Sequence, residues 1–265
     1  MITIKSEADL IKMRAAGLII ARILEKFEEM VKPGITTLDL ERFAASYIRE
    51  NGASPAFKGV IGGPDIPPYP CVICASVNEE LVHGVPSDRV LVEGDIISVD
   101  VGCKRDGFHG DAARTYAVGD ISPQAKRLLD TTKSCLEAAT ECCKPGAWLF
   151  DIGRTVSAFA HEQGFSVVED YVGHGIGREL HEDPQVPNYV PRFSGFRNMV
   201  LRKGMVLALE PMINEGTYRT YRPRGVWTVR TADRKLCAHF ENTVAILDDG
   251  PAILTVTQKC PFDRE

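Results

Sequence analysis

A chain of 265 residues, 44% hydrophobic and 25% charged, can bury one large core or two tightly packed halves, so it needs no disulfide staples. A net charge of -5 argues against nucleic acid as the principal ligand. No run approaches the roughly 18 apolar residues of a membrane span, and Lys5, Glu7, Asp9 and Lys12 interrupt any leader-like stretch, so neither a membrane span nor a secretory signal is expected and a reducing cytoplasmic compartment fits best.

In chain order, the first unit reads as a helix, a Pro-Gly turn, a second helix with a Thr or Asp cap, then strands. The turn is Lys32-Pro33-Gly34, and the second helix ends Arg49-Glu50-Asn51-Gly52. An offset of 112 returns the same unit as Lys144-Pro145-Gly146 through Glu162-Gln163-Gly164, with Asp39 matched by Asp151 and Arg42 by Arg154. One unit used twice implies a pseudo-symmetric single domain over 1–265, with halves of about 1–120 and 121–265, and not a solenoid.

Between the helices and the first strong strand lies Cys71-x-x-Cys74. No second C-x-x-C completes a tetrahedral zinc site, so buried or pocket-lining thiols are expected ahead of a redox or zinc role. His83-Gly84 follows. The segment Leu91–Asp100 then reads as a glycine turn and an apolar strand ending on an acid, and Leu201–Glu210 repeats it 110 positions later. Burying an ionised carboxylate costs several kcal/mol unless it is paired or bound to metal, so the two acids are expected at one shared site.

Asp106-Gly107 marks a hairpin turn. Centred on Arg105-Asp106, it would set Asp100 opposite Asp111 on one face, an arrangement that divalent cations convert from repulsion into a binding site. In the second half the strand carrying Glu241 mirrors Asp111. His174, in Gly173-His174-Gly175-Ile176-Gly177, is the candidate nitrogen ligand, which would favour Mn, Fe, Co or Zn over Ca or Mg. That glycine run lacks the Gly-Lys-Ser/Thr ending of a phosphate loop, so nucleotide binding is discounted. The segment 218–235 carries five arginines and Lys235 beside Tyr221 and Trp227; a solvated hairpin rim is expected ahead of a transient ribosome contact, with no specific nucleic acid bound.

His83, Asp100, Gly107-Phe108-His109-Gly110-Asp111, His174, His181-Glu182-Asp183-Pro184, Glu210-Pro211-Met212 and Trp227-Thr228, in that order, resemble the short, type I methionine aminopeptidases over nearly the whole chain. The resemblance implies an α+β "pita-bread" fold, a duplicated unit whose central curved antiparallel sheet is covered by two helix pairs. It implies two divalent metal ions (Co, Mn, Fe or Zn), with Asp100 on one, His174 and Glu210 on the other, and Asp111 and Glu241 bridging; Glu210 also moves a proton. It places His83 near the substrate amine and leaving nitrogen and has His181 donate to the scissile carbonyl oxygen. The partner would be the N-terminus of a nascent polypeptide, trimmed of its initiator methionine when the second residue is small. On that rule Ile2 would leave Met1 in place.

The methionine pocket would draw on Tyr69, Cys74, Leu180 and Trp227. Leu180 stands where such chains often carry an aromatic, His239 where glutamine is expected, and Asn242 where histidine is expected. His109 and His161 read as surface or supporting groups. The alternatives are another exopeptidase of this fold, such as an Xaa-Pro aminopeptidase, and a metal-free binding protein, from which the five retained ligands separate this chain.

Overall fold

The computed structural model describes residues 2–192 and 195–263, so the expectation for Met1 lies outside the described residues. Helix α1 (Glu7–Met30) starts where Ser6 and Asp9 cap each other's free N–H groups, and α2 (Thr37–Glu50) starts the same way on Thr36 and Asp39. In the second unit, α3 (Pro123–Glu141) is capped by Ser122, and α4 (Leu149–Glu162) begins at Trp148, whose N–H donates to Asp151. Asp39 and Asp151 therefore sit in the first turn and accept the cap N–H rather than occupying the cap. The duplication extends to single hydrogen bonds. Gly34 and Ile35 clasp Leu91 (N···O 2.9 and 2.8 Å), just as Gly146 and Ala147 clasp Leu201 (3.0 and 2.8 Å). Both turn glycines need a left-handed φ, +96° and +91°.

In the first half, strand Ile96–Arg105 pairs with Phe108–Ala117 along one edge, and with Ile73–Val77 and Ser54–Pro55 along the other. In the second half, Gly250–Ile253, Asn242–Leu247, Val206–Leu209, Gly173–Gly175 and Glu182–Val186 lie side by side in that order. Two three-stranded sheets flank these: Cys237–His239 with Met212–Asn214 and Ser166–Val167, and Thr220–Tyr221 with Val229–Thr231 and Glu80–Val82.

The strand alternation decides where the acids go. Ile97, Val99, Val101 and Cys103 pack into the α1/α2 core, so Asp100 faces the other way. Leu207, Leu209, Val244 and Ile246 pack into the α3/α4 core, which turns Glu210, Glu241 and Thr243 away from those helices. Both halves thus aim their acids at the face opposite the helix pairs.

Two sequence expectations need correcting here. The hairpin turns on Asp106-Gly107, both with positive φ (+50° and +83°), so Arg105 pairs with Phe108 and Asp100 pairs with Ala113. Asp111 lies opposite Gly102 and is Asp100's diagonal neighbour on the same face. Asp100 also sits mid-strand, whereas Glu210 does follow directly after its strand.

A seam joins the halves. Asp111 and Thr243 exchange two hydrogen bonds (3.1 and 2.8 Å), the Glu241 N–H donates to the Ala113 carbonyl (2.9 Å), and the Thr115 hydroxyl bonds to the backbone of His239 (2.8 and 2.9 Å). The two acids expected to bridge are therefore the two that stand on the seam.

Candidate active site

Asp100, Asp111, His174, Glu210 and Glu241 converge on one cavity of about 100 Å³. Single donor atoms of Asp111, His174 and Glu241 lie within 4.8 Å of one another. Burial raises the carboxyl pKa of Asp111, Glu210 and Glu241 well above the ordinary range, and repulsion from neighbouring carboxylates adds to it. Asp100 is raised too, chiefly by burial, against a hydrogen bond with Asp111 that favours its ionised form.

Among the described residues, Asp100 Oδ1, Asp111 Oδ1 and Glu241 Oε1 are buried without a hydrogen-bond partner. Buried acceptors are normally satisfied, so three orphans in one acidic cluster fit a cation. His174 is prepared for the same task. Its Nδ1 donates to the Gly175 carbonyl (2.8 Å), which leaves the Nε2 lone pair facing the cluster, 3.6 Å from Glu210 Oε1. Burial keeps this ring neutral, its pKa pushed down to about 3.

Two polar groups close the site from behind. The half-buried Arg114 guanidinium donates to the carbonyls of Ala113 (2.8 Å) and Glu241 (2.5 Å) and to Asn242 Oδ1 (2.8 Å). Asn242 thus has a definite task as an acceptor, which histidine would fill differently. The Asn188 amide donates to the Glu210 carbonyl (2.9 Å) and fixes the backbone after the strand.

Over the acids stand the two other histidines. His83 adopts φ +58°, a left-handed conformation strained for a residue with a Cβ. Its ring meets Trp227 edge-on at 6.0 Å and Tyr171 at 5.7 Å, and burial, with the Arg222 cation next, holds its pKa down to about 4. His181 lies exposed at the mouth with its ring centroid 4.4 Å from that of His174.

The expected pocket residues Tyr69, Cys74, Leu180 and Trp227 all line the cavity, together with Phe57 and Val60. Tyr69 donates to the carbonyls of Ile73 (3.0 Å) and Gly84 (2.9 Å), and Trp227 Nε1 donates to Pro67 (2.7 Å). Cys74 pairs with Asp100 across the sheet. All eight cysteines are free, and burial pushes the Cys74 thiol up and Cys71 to about 11, so neither is a reactive thiolate. His161 stays outside the site, while His109, read from the sequence as a surface or supporting group, is buried and anchors the Gly177 carbonyl through its backbone N–H (2.7 Å).

Several residues that line or support the cavity gave no signal in the chain. Phe57 and Val60 sit in a Gly/Pro-rich stretch without periodicity. Tyr171 and Arg114 had no partner within reach along the sequence. His239 was noted only as a departure, yet its Nε2 lies 3.8 Å from Glu241 and 4.0 Å from Glu210.

This arrangement of a seam-straddling carboxylate cluster, one buried histidine beside it and an apolar pocket coincides with a known family model. The metallopeptidase family M24 model matches residues 11–248. The chain belongs to metallopeptidase family M24. It is 48% identical to the methionine aminopeptidase of Clostridium acetobutylicum, over 97% of this chain and 100% of that one. The crystal structure of methionine aminopeptidase from Thermotoga maritima superposes with a TM-score of 0.90 at 44% identity, covering 97% of this chain and 100% of that one. The prolidase from Pyrococcus furiosus shares the fold (TM-score 0.74) at 24% identity, and this chain spans only 66% of it. The M24 pita-bread fold is therefore this chain's fold, and family membership carries with it a divalent metal cofactor.

Proposed function

We propose that this M24 chain removes the initiator methionine of nascent polypeptides using two divalent ions, and that it does so when the second residue is small. The methionine aminopeptidase activity follows from close relatives that match end to end. The observation that carries the site assignment is the set of orphaned buried oxygens on Asp100, Asp111 and Glu241 beside a histidine whose tautomer is already set for ligation.

Asp100 would hold one ion, His174 and Glu210 the other, with Asp111 and Glu241 shared between them. Divalent metal, when bound, supplies Lewis acidity and an acidified water. Glu210 would hold the proton released there and pass it toward the leaving amine. His83, wedged between Trp227 and Tyr171, would meet the substrate's amino end. His181 would donate to the scissile carbonyl oxygen as negative charge develops on it. Phe57, Tyr69, Cys74, Leu180 and Trp227 would take the unbranched thioether, with Trp227 and Tyr69 packed edge to face (5.2 Å) as one rigid wall.

The basic hairpin favours the rim reading. Arg224, Arg230 and Arg234 are engaged by Asp65, Glu80 and Glu79, which weakens the field an RNA phosphate would meet. No helix among the described residues is long and apolar enough to cross a membrane.

The test is metal analysis combined with turnover of Met-Ala-Ser against Xaa-Pro peptides. Chelated protein should be inactive and recover with Co or Mn, and Met-Ala-Ser should be the substrate. Activity that persists after thorough chelation, or a preference for Xaa-Pro bonds, would overturn the reading.

A further inference from the structure

We infer that Lys5 and Glu182 are a positioning pair that fixes His181 relative to Glu210. Lys5 Nζ lies 2.8 Å from Glu182 Oε2, and the two side chains are only 5% and 9% exposed. The Thr3 hydroxyl donates to the same oxygen. The other carboxylate oxygen, Oε1, accepts the backbone N–H groups of Arg178 (2.8 Å) and Glu179 (3.3 Å). One side chain thus closes the loop 178–182 on itself, and that loop presents Leu180 to the pocket and His181 to the mouth.

The same lysine reaches the other arm of the site. Its N–H donates to the Gly204 carbonyl (2.8 Å), at the turn that opens the strand leading to Glu210. Both contact points are built for close approach. A Cβ on Gly177 would stand 2.6 Å from Lys5 Cε and 2.5 Å from Glu182 Oε1, and one on Gly204 would stand 2.7 Å from Ile4 Cγ2 and 2.9 Å from the Lys5 carbonyl. Arg178 is pinned in addition by the Phe108 ring (4.5 Å) and Asp9 (3.8 Å). Residues 3–5 therefore act as a strut between the His181 loop, which joins two neighbouring strands of the five-stranded sheet, and the Gly204 turn ahead of the Glu210 strand.

A buried ion pair is not needed for this in the energetic sense, because well-packed apolar groups often serve stability as well. Geometry is the more demanding requirement. A displacement of about 1 Å at a catalytic group can cost about a hundredfold in rate. The pair touches no reacting atom, so its effect on kcat should run through His181, and any shift of Leu180 should read out in KM; this rests on His181 being the carbonyl donor.

The experiment compares Lys5→Met/Glu182→Gln, which removes both charges but keeps an acceptor for the loop N–H groups, with Lys5→Arg, each in the parent chain and in a His181→Ala background. Circular dichroism and thermal melting establish that each variant is folded. The double variant should lose about tenfold to a hundredfold in kcat with KM within about threefold, and Lys5→Arg, which keeps the charge, should restore most of the loss. In the His181→Ala background the same changes should cost no further rate, since the positioned group is gone. Parental kcat in the folded double variant, or an equal loss in both backgrounds, would overturn the positioning role. Parental kcat in His181→Ala itself would instead remove the donor role on which it rests.

Discussion

The carboxylates of this site are destabilising by themselves, and that makes them testable one at a time. Asp111 carries a folded-state pKa raised well above its unfolded value of 3.8, by burial first and then by Glu241 and Asp100. A group of this kind contributes stability that is complete below the unfolded pKa and is lost as pH rises through the folded pKa. In chelated protein, Asp111→Asn should therefore raise Tm relative to the parent near pH 8 and make little difference near pH 4. The buried histidines, with pKa values depressed to about 3 for His174 and His239 and about 4 for His83, contribute the opposite slope below their unfolded value of 6.5. Only the difference between variant and parent isolates the carboxylate. With cations present the comparison should invert, and Asp111→Asn and Glu241→Gln should each abolish turnover while the protein stays folded. A Tm difference independent of pH, or retained activity in either variant, would contradict a bridging role. His181→Ala is expected to lower kcat by about two to three orders of magnitude with a smaller rise in KM, since a donor that strengthens in the transition state acts on the barrier. Steady-state kinetics on Met-Ala-Ser would decide it, and a pure KM effect would make His181 a substrate-positioning group.

At the level of elements, what could be read from the chain was whatever repeats or alternates. The identical residues at an offset of 112 announced the duplication, and the Gly34–Leu91 and Gly146–Leu201 clasps show why those positions recur: both copies make the same turn with the same φ. Strand alternation placed the acids on one face, yet the cross-strand partner of Asp100 is two residues on, Ala113 and not Asp111, because Asp106 also adopts positive φ and centres the turn one residue later on Asp106-Gly107. Register depends on two dihedral angles, which composition constrains only loosely. The pocket wall was partly legible through Tyr69 and Trp227. Its lid was not, since Phe57, Val60 and Gly62 reach the site through loop packing that leaves no period in the sequence. Gly62 now carries a clear demand: a Cβ there would stand 2.4 Å from the Trp227 ring. Gly62→Ala should push the indole off Tyr69 and His83 and raise KM for Met-Ala-Ser by about fivefold or more, because overpacking a rigid wall costs about 1 to 3 kcal/mol. An unchanged KM would mean that the 57–69 loop yields and does not shape the pocket.

For the whole molecule, the halves meet at a seam and leave one cavity that holds the carboxylates and the apolar pocket together. The cavity is small, about 100 Å³, and the carboxylate cluster and the apolar pocket residues share it. The walls are not soft: Trp227, Tyr69 and His83 pack edge to face, Tyr69 is doubly hydrogen-bonded, and His181 sits on a loop closed by Glu182. If His83 and His181 take the roles proposed for them, a residue following methionine would have to fit between them as they stand. Glycine and alanine add little volume there, valine brings branching at Cβ, and leucine extends a full isobutyl group. Turnover of the series Met-Gly, Met-Ala, Met-Val and Met-Leu, each followed by the same tail, should fall steeply after alanine, with kcat/KM for Met-Leu lower than for Met-Ala by about fivefold to about 150-fold if misfit costs about 1 to 3 kcal/mol. Equal kcat/KM for Met-Ala and Met-Leu would show that the mouth opens during the reaction, and the rule for a small second residue would then fail even if the carboxylate chemistry held.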